Sequence, residues 1–105
     1  MDFILNKEEV IQKMEERGFS KVSHATQGED VVEIRFATRF SEDSVTICCS
    51  VDLIKGEFKL QYAIPCSINF LSTPNCGSFM DDKHFNNMFK KISIQAALLD
   101  DFFNN

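Results

Sequence analysis

The sequence predicts an α+β domain in which one helix precedes, and a second follows, an antiparallel meander of three or four strands. Three observations predict this class: a helix near the start with signals at both ends, a two-residue alternation from residue 31, and a helical apolar period from residue 81. Because each segment has one apolar face to bury, we expect two layers, with both helices on one face of the sheet. The length fits a single domain over residues 1–105.

The first predicted helix covers residues 7–17. Asn6 is a typical N-cap residue, and Glu9 follows it three positions later, as in a capping box. Gly18 fits the left-handed position that follows a helix, and Phe19 is then placed to pack back on the last turn. Both ends of this helix are therefore specified by local sequence.

Three strands are predicted next, within residues 31–40, 44–55 and 57–64, because apolar and polar residues alternate in each. Such alternation is typical of an antiparallel sheet with one buried and one wet face. The short polar links between the strands favour hairpins. A short fourth strand is expected around Ile68 and Phe70, before a turn that contains proline.

The last predicted helix covers residues 81–103, with Asp81 as its N-cap. Its main apolar face follows the three- and four-residue spacing of a helix packed on a core. A second apolar pair, Ile94 and Leu98, falls on the opposite side, near Phe102. We interpret this second face as a surface for a partner or for a second copy of the chain. Scattered exposed apolar residues are the alternative interpretation.

Cys48 and Cys49 are adjacent, which raises the possibility of a shared thiol or metal site. Successive residues of a strand point to opposite faces, so the two thiols cannot converge on one ligand if this segment is a strand. Cys49 belongs to the inward apolar series, whereas Cys48 belongs to the polar face. The pair is therefore predicted to be structural, with Cys48 the accessible thiol.

The polar face of the sheet is predicted to carry a patch of short, apolar side chains around Cys48. Pairing Phe40 with Val45 across the first hairpin places Ala37 beside that cysteine. Pairing Ile54 with Glu57 across the second places Ala63 on its other side, and also places Asp52 opposite Lys59 as an ion pair. The alternative is an ordinary solvated sheet face. The residues of the predicted patch are Ala37, Cys48, Ala63, Arg35 and Arg39.

The chain carries a net charge of −5, and twelve of its sixteen acidic residues occur as adjacent doublets. The doublets near the C-terminal ends of the two helices are not stabilised by the helix dipole, which suggests that a basic protein partner contacts them. Imitation of a phosphate backbone is a further interpretation, and solubility or capping is the ordinary one. Direct nucleic-acid binding is not expected. The candidate acidic contacts are Glu15, Glu16, Asp100, Asp101, Glu42 and Asp43.

No catalytic residue, cofactor or metal site is predicted. Cys66, Cys76 and His84 match no familiar zinc spacing, and Cys76 has no identifiable base beside it. Phosphate loops and the common hydrolase motifs are also absent from the sequence. A small thiol or zinc enzyme is therefore the least favoured class.

The sequence favours a small noncatalytic protein that binds and inhibits a macromolecular target. No signal peptide or membrane anchor is predicted, and the four cysteines are expected to be reduced in the cytoplasm. In size, acidity and helix–sheet–helix order, the chain is similar to the small inhibitors of phages and mobile elements, such as anti-CRISPR proteins. It is also similar to immunity proteins that neutralise toxins. A homodimeric adaptor or chaperone-like module is the alternative class.

Overall fold

A computed structural model describes residues 2–39, 45–63, 70–72 and 79–104. The predicted α+β class is confirmed, with a helix, an antiparallel meander and a C-terminal helix, and the strands follow one another in the sheet in chain order. The elements are α1 (Lys7–Glu16), β1 (Ser20–Gln27), β2 (Asp30–Arg39), β3 (Thr46–Asp52), β4 (Glu57–Ala63), β5 (Phe70–Ser72) and α2 (Asp82–Asn104).

Strand β1 is an element that the sequence analysis did not predict. Its one large apolar residue, Val22, is 62% exposed, so the strand has no apolar alternation to reveal it. Pairing with β2 forms it instead: Gln27 lies opposite Asp30, and a tight turn with Gly28 at φ 64° joins the two strands. Two register irregularities interrupt this ladder, one of them at Val22.

Both helices begin as the sequence predicts. Asn6 accepts a hydrogen bond from the Glu9 backbone N–H at 3.2 Å. Asp81 accepts one from the His84 N–H at 3.1 Å, so it caps α2. Helix α1 ends one residue earlier than expected, at Glu16, and the chain then leaves it through a glycine with φ 87°. These side-chain and glycine caps satisfy groups that helix ends leave without a partner.

The inward faces of β2, β3 and β4 pack with both helices into one core, as the two-layer arrangement requires. The alternation is complete along β3 and β4, where every second side chain is buried. Phenylalanine fills the space between α2 and β4, with the rings of Phe58 and Phe85 4.8 Å apart. Large side chains buried here from both layers include Val10, Met14, Phe36, Ile47, Phe58, Phe85 and Ile92.

The register of β3 against β4 differs by two residues from the predicted one. Asp52, rather than Ile54, lies opposite Glu57. The reason is the turn: the Asp52 side chain accepts hydrogen bonds from the backbone N–H groups of Ile54 and Lys55, at 2.9 and 3.0 Å. Gly56 completes the turn at φ 70°, a conformation that favours glycine. Four residues therefore connect the strands, instead of the two that were expected.

A shift of two residues preserves which side chains point inward, so the predicted core faces are unaffected. The cross-strand partners on the polar face do change. Lys59 lies opposite Ser50, so the predicted ion pair between Asp52 and Lys59 is wrong. By contrast, the predicted register of β2 against β3 is correct, with Ala37 opposite Cys48.

Arg17 joins the two helices at one end of the molecule. Its guanidinium carbon lies 3.8 Å from the centroid of the Phe85 ring and 4.9 Å from that of Phe79. The same group donates a hydrogen bond to the carboxylate of Asp82, which Lys13 also approaches at 3.2 Å. The hydrogen bond from Arg17 lowers the pKa of Asp82 below its ordinary value, and a hydrogen bond from Lys13 lowers it further. The ionised Asp82 therefore stabilises the fold at neutral pH, and this stabilisation is lost as the pH falls through the lowered pKa.

We expect Arg17→Ala to lower the free energy of unfolding by about 2 kcal/mol, because the substitution removes both aromatic contacts and the packing of the side-chain stem. Urea denaturation followed by circular dichroism measures this change. The matched control is Arg39→Ala, since Arg39 is exposed on the sheet and is expected to contribute less than about 0.5 kcal/mol. Equal effects of the two substitutions would contradict a structural role for Arg17.

Candidate functional site

In the described part of the chain, no three His, Cys, Asp or Glu side chains are placed to hold a metal ion. Of the alternative zinc set, Cys66 and Cys76 lie outside the described residues. His84 packs edge-on against Phe58, with the ring centroids 5.8 Å apart, and its Nε2 atom is buried. Within the described ranges, no helix is both long and apolar enough to cross a membrane.

The adjacent cysteines point to opposite faces of β3, as strand parity predicts. Cys49 is 1% exposed within the core, whereas Cys48 is partly exposed on the polar face. Burial raises the pKa of the Cys48 thiol, which lowers the fraction of thiolate at neutral pH. A cysteine nucleophile requires the opposite shift, so the environment of Cys48 does not activate it.

The predicted patch around Cys48 is only partly assembled. Ala37 is its neighbour on β2, but Gln61 takes the place that was expected for Ala63, which lies opposite Thr46. Ala63 lies two residues away from its expected position because the turn between β3 and β4 is longer than predicted. The polar face near Cys48 is therefore less apolar than the sequence suggested.

The two arginines of that patch have different environments. Arg35 is held by Glu33, with Nε 2.8 Å from the carboxylate oxygen, and its Nη1 lies 3.4 Å from the hydroxyl of Ser23. Arg39 is exposed at the end of β2, beside Thr46 of the next strand. Arg35 therefore bridges β1 and β2 on the surface, and Glu33 compensates part of its charge.

The predicted acidic contacts lie far apart. Glu15 and Glu16 are exposed at the end of α1, whereas Asp101 is exposed near the end of α2. Glu16 lines a cleft with Asp82 at the start of α2. At the rise of an α-helix, Asp101 lies roughly 28 Å along α2 from Asp82. The remaining candidates lie outside the described residues, namely Glu42 and Asp43 and the side chains of Asp100 and Phe102.

The structure instead brings together two acidic segments that sequence reasoning passed over. Glu8, in the first turn of α1, shares a groove with Glu29 of the turn between β1 and β2 and with Asp30, the first residue of β2. Their convergence depends on the hairpin that β1 forms, and the missing signal was the tight turn at Gly28. We call this feature the acidic groove; it is lined by Phe3, Leu5, Asn6, Lys7, Glu8, Glu29, Asp30, Val31 and Leu53.

Exposed apolar side chains adjoin the acidic groove. Phe3 lines it and is 41% exposed, and the next residue, Ile4, is 67% exposed. The backbone N–H of Ile4 donates to the carbonyl of Leu53 at 3.0 Å, which fixes this segment against the turn that follows β3. The backbone N–H of buried Phe79 donates to the carbonyl of Gly56 in the same turn, and the side chain of the next residue, Met80, is exposed. Acidic and apolar groups therefore lie around the turn that follows β3.

A second apolar surface lies on the outer side of α2. Ile94 and Leu98 are 56% and 68% exposed, while Ile92 and Ala96 of the same helix are fully buried. The periodicity of the sequence thus places this pair correctly, opposite the core-facing side of the helix.

Comparison with known proteins gives no match: no family model, curated protein or solved structure is significantly similar to this chain. Its function is therefore inferred from the chemistry of its exposed surfaces.

We expect Cys48 to react with a thiol reagent faster than Cys49 in the native protein, because only Cys48 reaches the surface. The reaction of Cys48 is expected to accelerate at a higher pH than in the unfolded chain, since burial raises the pKa of its thiol. Mass spectrometry of a variant with Cys66→Ser and Cys76→Ser measures both rates. Adding Cys48→Ser provides the control, and equal protection of the two thiols would contradict the assignment of faces.

Proposed function

We propose that this protein is a small noncatalytic binding protein that inhibits a macromolecular target by occupying a basic surface on it. The observation that carries the proposal is the convergence of Glu8, Glu29 and Asp30 beside the exposed ring of Phe3. Interfaces of this kind combine an apolar anchor with charges that steer and orient the partner.

The acidic groove retains more uncompensated charge than a second surface cleft, which lies between the two helices and is lined by Glu9, Gln12, Lys13, Glu16, Arg17, Asp82 and Asn86. Three carboxylates of the groove face one lysine, Lys7. In the cleft, Arg17 and Lys13 already pair with Asp82. The groove therefore offers the stronger attraction to a basic partner, and the net charge of −5 extends that attraction at low ionic strength.

The expected partner is a protein that presents lysine or arginine next to an apolar residue. Such a side chain would place its charge among the carboxylates and its stem or neighbour against Phe3 and Ile4. In size and acidity the chain resembles small phage inhibitors and immunity proteins, which act by occupying a target. We place this activity in the cytoplasm, where the four cysteines would remain reduced.

The test begins with chemical cross-linking and mass spectrometry in the native host, which identify a partner and the residues at the contact. The affinity of that partner is then measured by calorimetry. We expect Glu29→Lys with Asp30→Lys to weaken binding at least tenfold, or about 1.4 kcal/mol, because it reverses two of the three carboxylates. Binding by the unchanged protein should weaken as salt is added.

The matched control reverses the same number of charges elsewhere, as Glu15→Lys with Glu16→Lys. Both doublets are exposed, so circular dichroism is expected to show an intact fold in each variant. An affinity that falls with the control but not with Glu29→Lys and Asp30→Lys would exclude the acidic groove as the contact.

A further inference from the structure

The outer side of α2 carries charges as well as the apolar pair. Lys91 lies about one helical turn before Ile94, and Asp101 lies about one turn after Leu98, on the same exposed side of the helix. At 100° per residue, the four side chains fall within a sector of roughly 80°, directly opposite Ile92 and Ala96 of the core. Among the described residues, neither Lys91 nor Asp101 forms an ion pair within the chain.

We infer that this surface binds a second copy of the chain, with the two α2 helices packed antiparallel about a two-fold axis. The positions of the four residues are self-complementary, because the pairs 94/98 and 91/101 share one midpoint, residue 96. An antiparallel helix aligned at that midpoint places Lys91 opposite Asp101 of the other copy. It also places Ile94 opposite Leu98, and each contact occurs twice, as a two-fold axis requires.

The charges decide the orientation of the pair. In a parallel arrangement, Lys91 would meet its own copy and so would Asp101, which places like charges together. In the antiparallel arrangement every charge meets an opposite one. The long lysine side chain can also span the 8–10 Å that separates the axes of packed helices.

A second copy fits this surface better than a basic partner does, because the surface carries lysine as well as a carboxylate. The inference is independent of the proposed function, since the acidic groove lies among α1, the turn between β1 and β2, and the turn after β3. One helix pair covers less area than the roughly 1,600 Å² of a standard stable interface. The dimer is therefore expected to be reversible and concentration-dependent.

Sedimentation velocity of the full chain, over concentrations from micromolar to millimolar, tests the inference. The unchanged protein is expected to shift from monomer to dimer across this range. Leu98→Glu should shift the dissociation constant upward by at least tenfold, because it places a charge at the centre of the contact. Circular dichroism checks that the variant folds. A monomer at every concentration, or a dimer that Leu98→Glu leaves unchanged, would overturn the inference.

Charge exchange tests the orientation without altering the apolar pair. Lys91→Glu alone and Asp101→Lys alone should each weaken the dimer severalfold, because each places like charges opposite one another. The double variant exchanges both signs and should restore the affinity of the unchanged protein. The matched control is Lys59→Glu on β4, which should have no effect. A double variant weaker than either single one would overturn the antiparallel register.

Discussion

The relation between the helix layer and the sheet depends on the side chain of Arg17. Its guanidinium packs over Phe85 and Phe79 and also bonds to Asp82, so one residue connects the end of α1 with the start of α2. Phe85 in turn packs on Phe58 of β4. This chain of contacts anchors the first turn of α2 on the sheet. Further along the helix, Ile92 and Ala96 continue the same buried side.

Much of this fold could be predicted because its signals are local. The caps at Asn6 and Asp81 depend on a few neighbouring residues, and alternation alone assigns Cys48 and Cys49 to opposite faces. Two features could not be predicted in the same way. Strand β1 is stabilised by backbone pairing with β2 and has almost no apolar pattern, while the register of β4 depends on a turn that the Asp52 side chain organises.

The candidate surfaces show the same distinction. Ile94 and Leu98 could be located from helical periodicity, because the outer side of one helix depends on that helix alone. The acidic groove could not, because Glu8 and Glu29 belong to different elements that only the β1–β2 hairpin brings together. Taken separately, Glu8 is explained as a favourable charge at the start of a helix, and Glu29 is explained as a turn residue. Their shared location is a property of the tertiary structure.

The irregular ladder of β1 has a consequence for how the protein behaves at high concentration. β1 is the outermost strand on its side of the sheet, and an outermost strand with a regular backbone is a template on which further chains can add and aggregate. Its register shifts, one beside Lys21, distort the hydrogen-bonding groups away from that template, and the lysine adds a charge that opposes stacking. The β1 edge of the sheet is therefore expected to be a poor template for fibril growth.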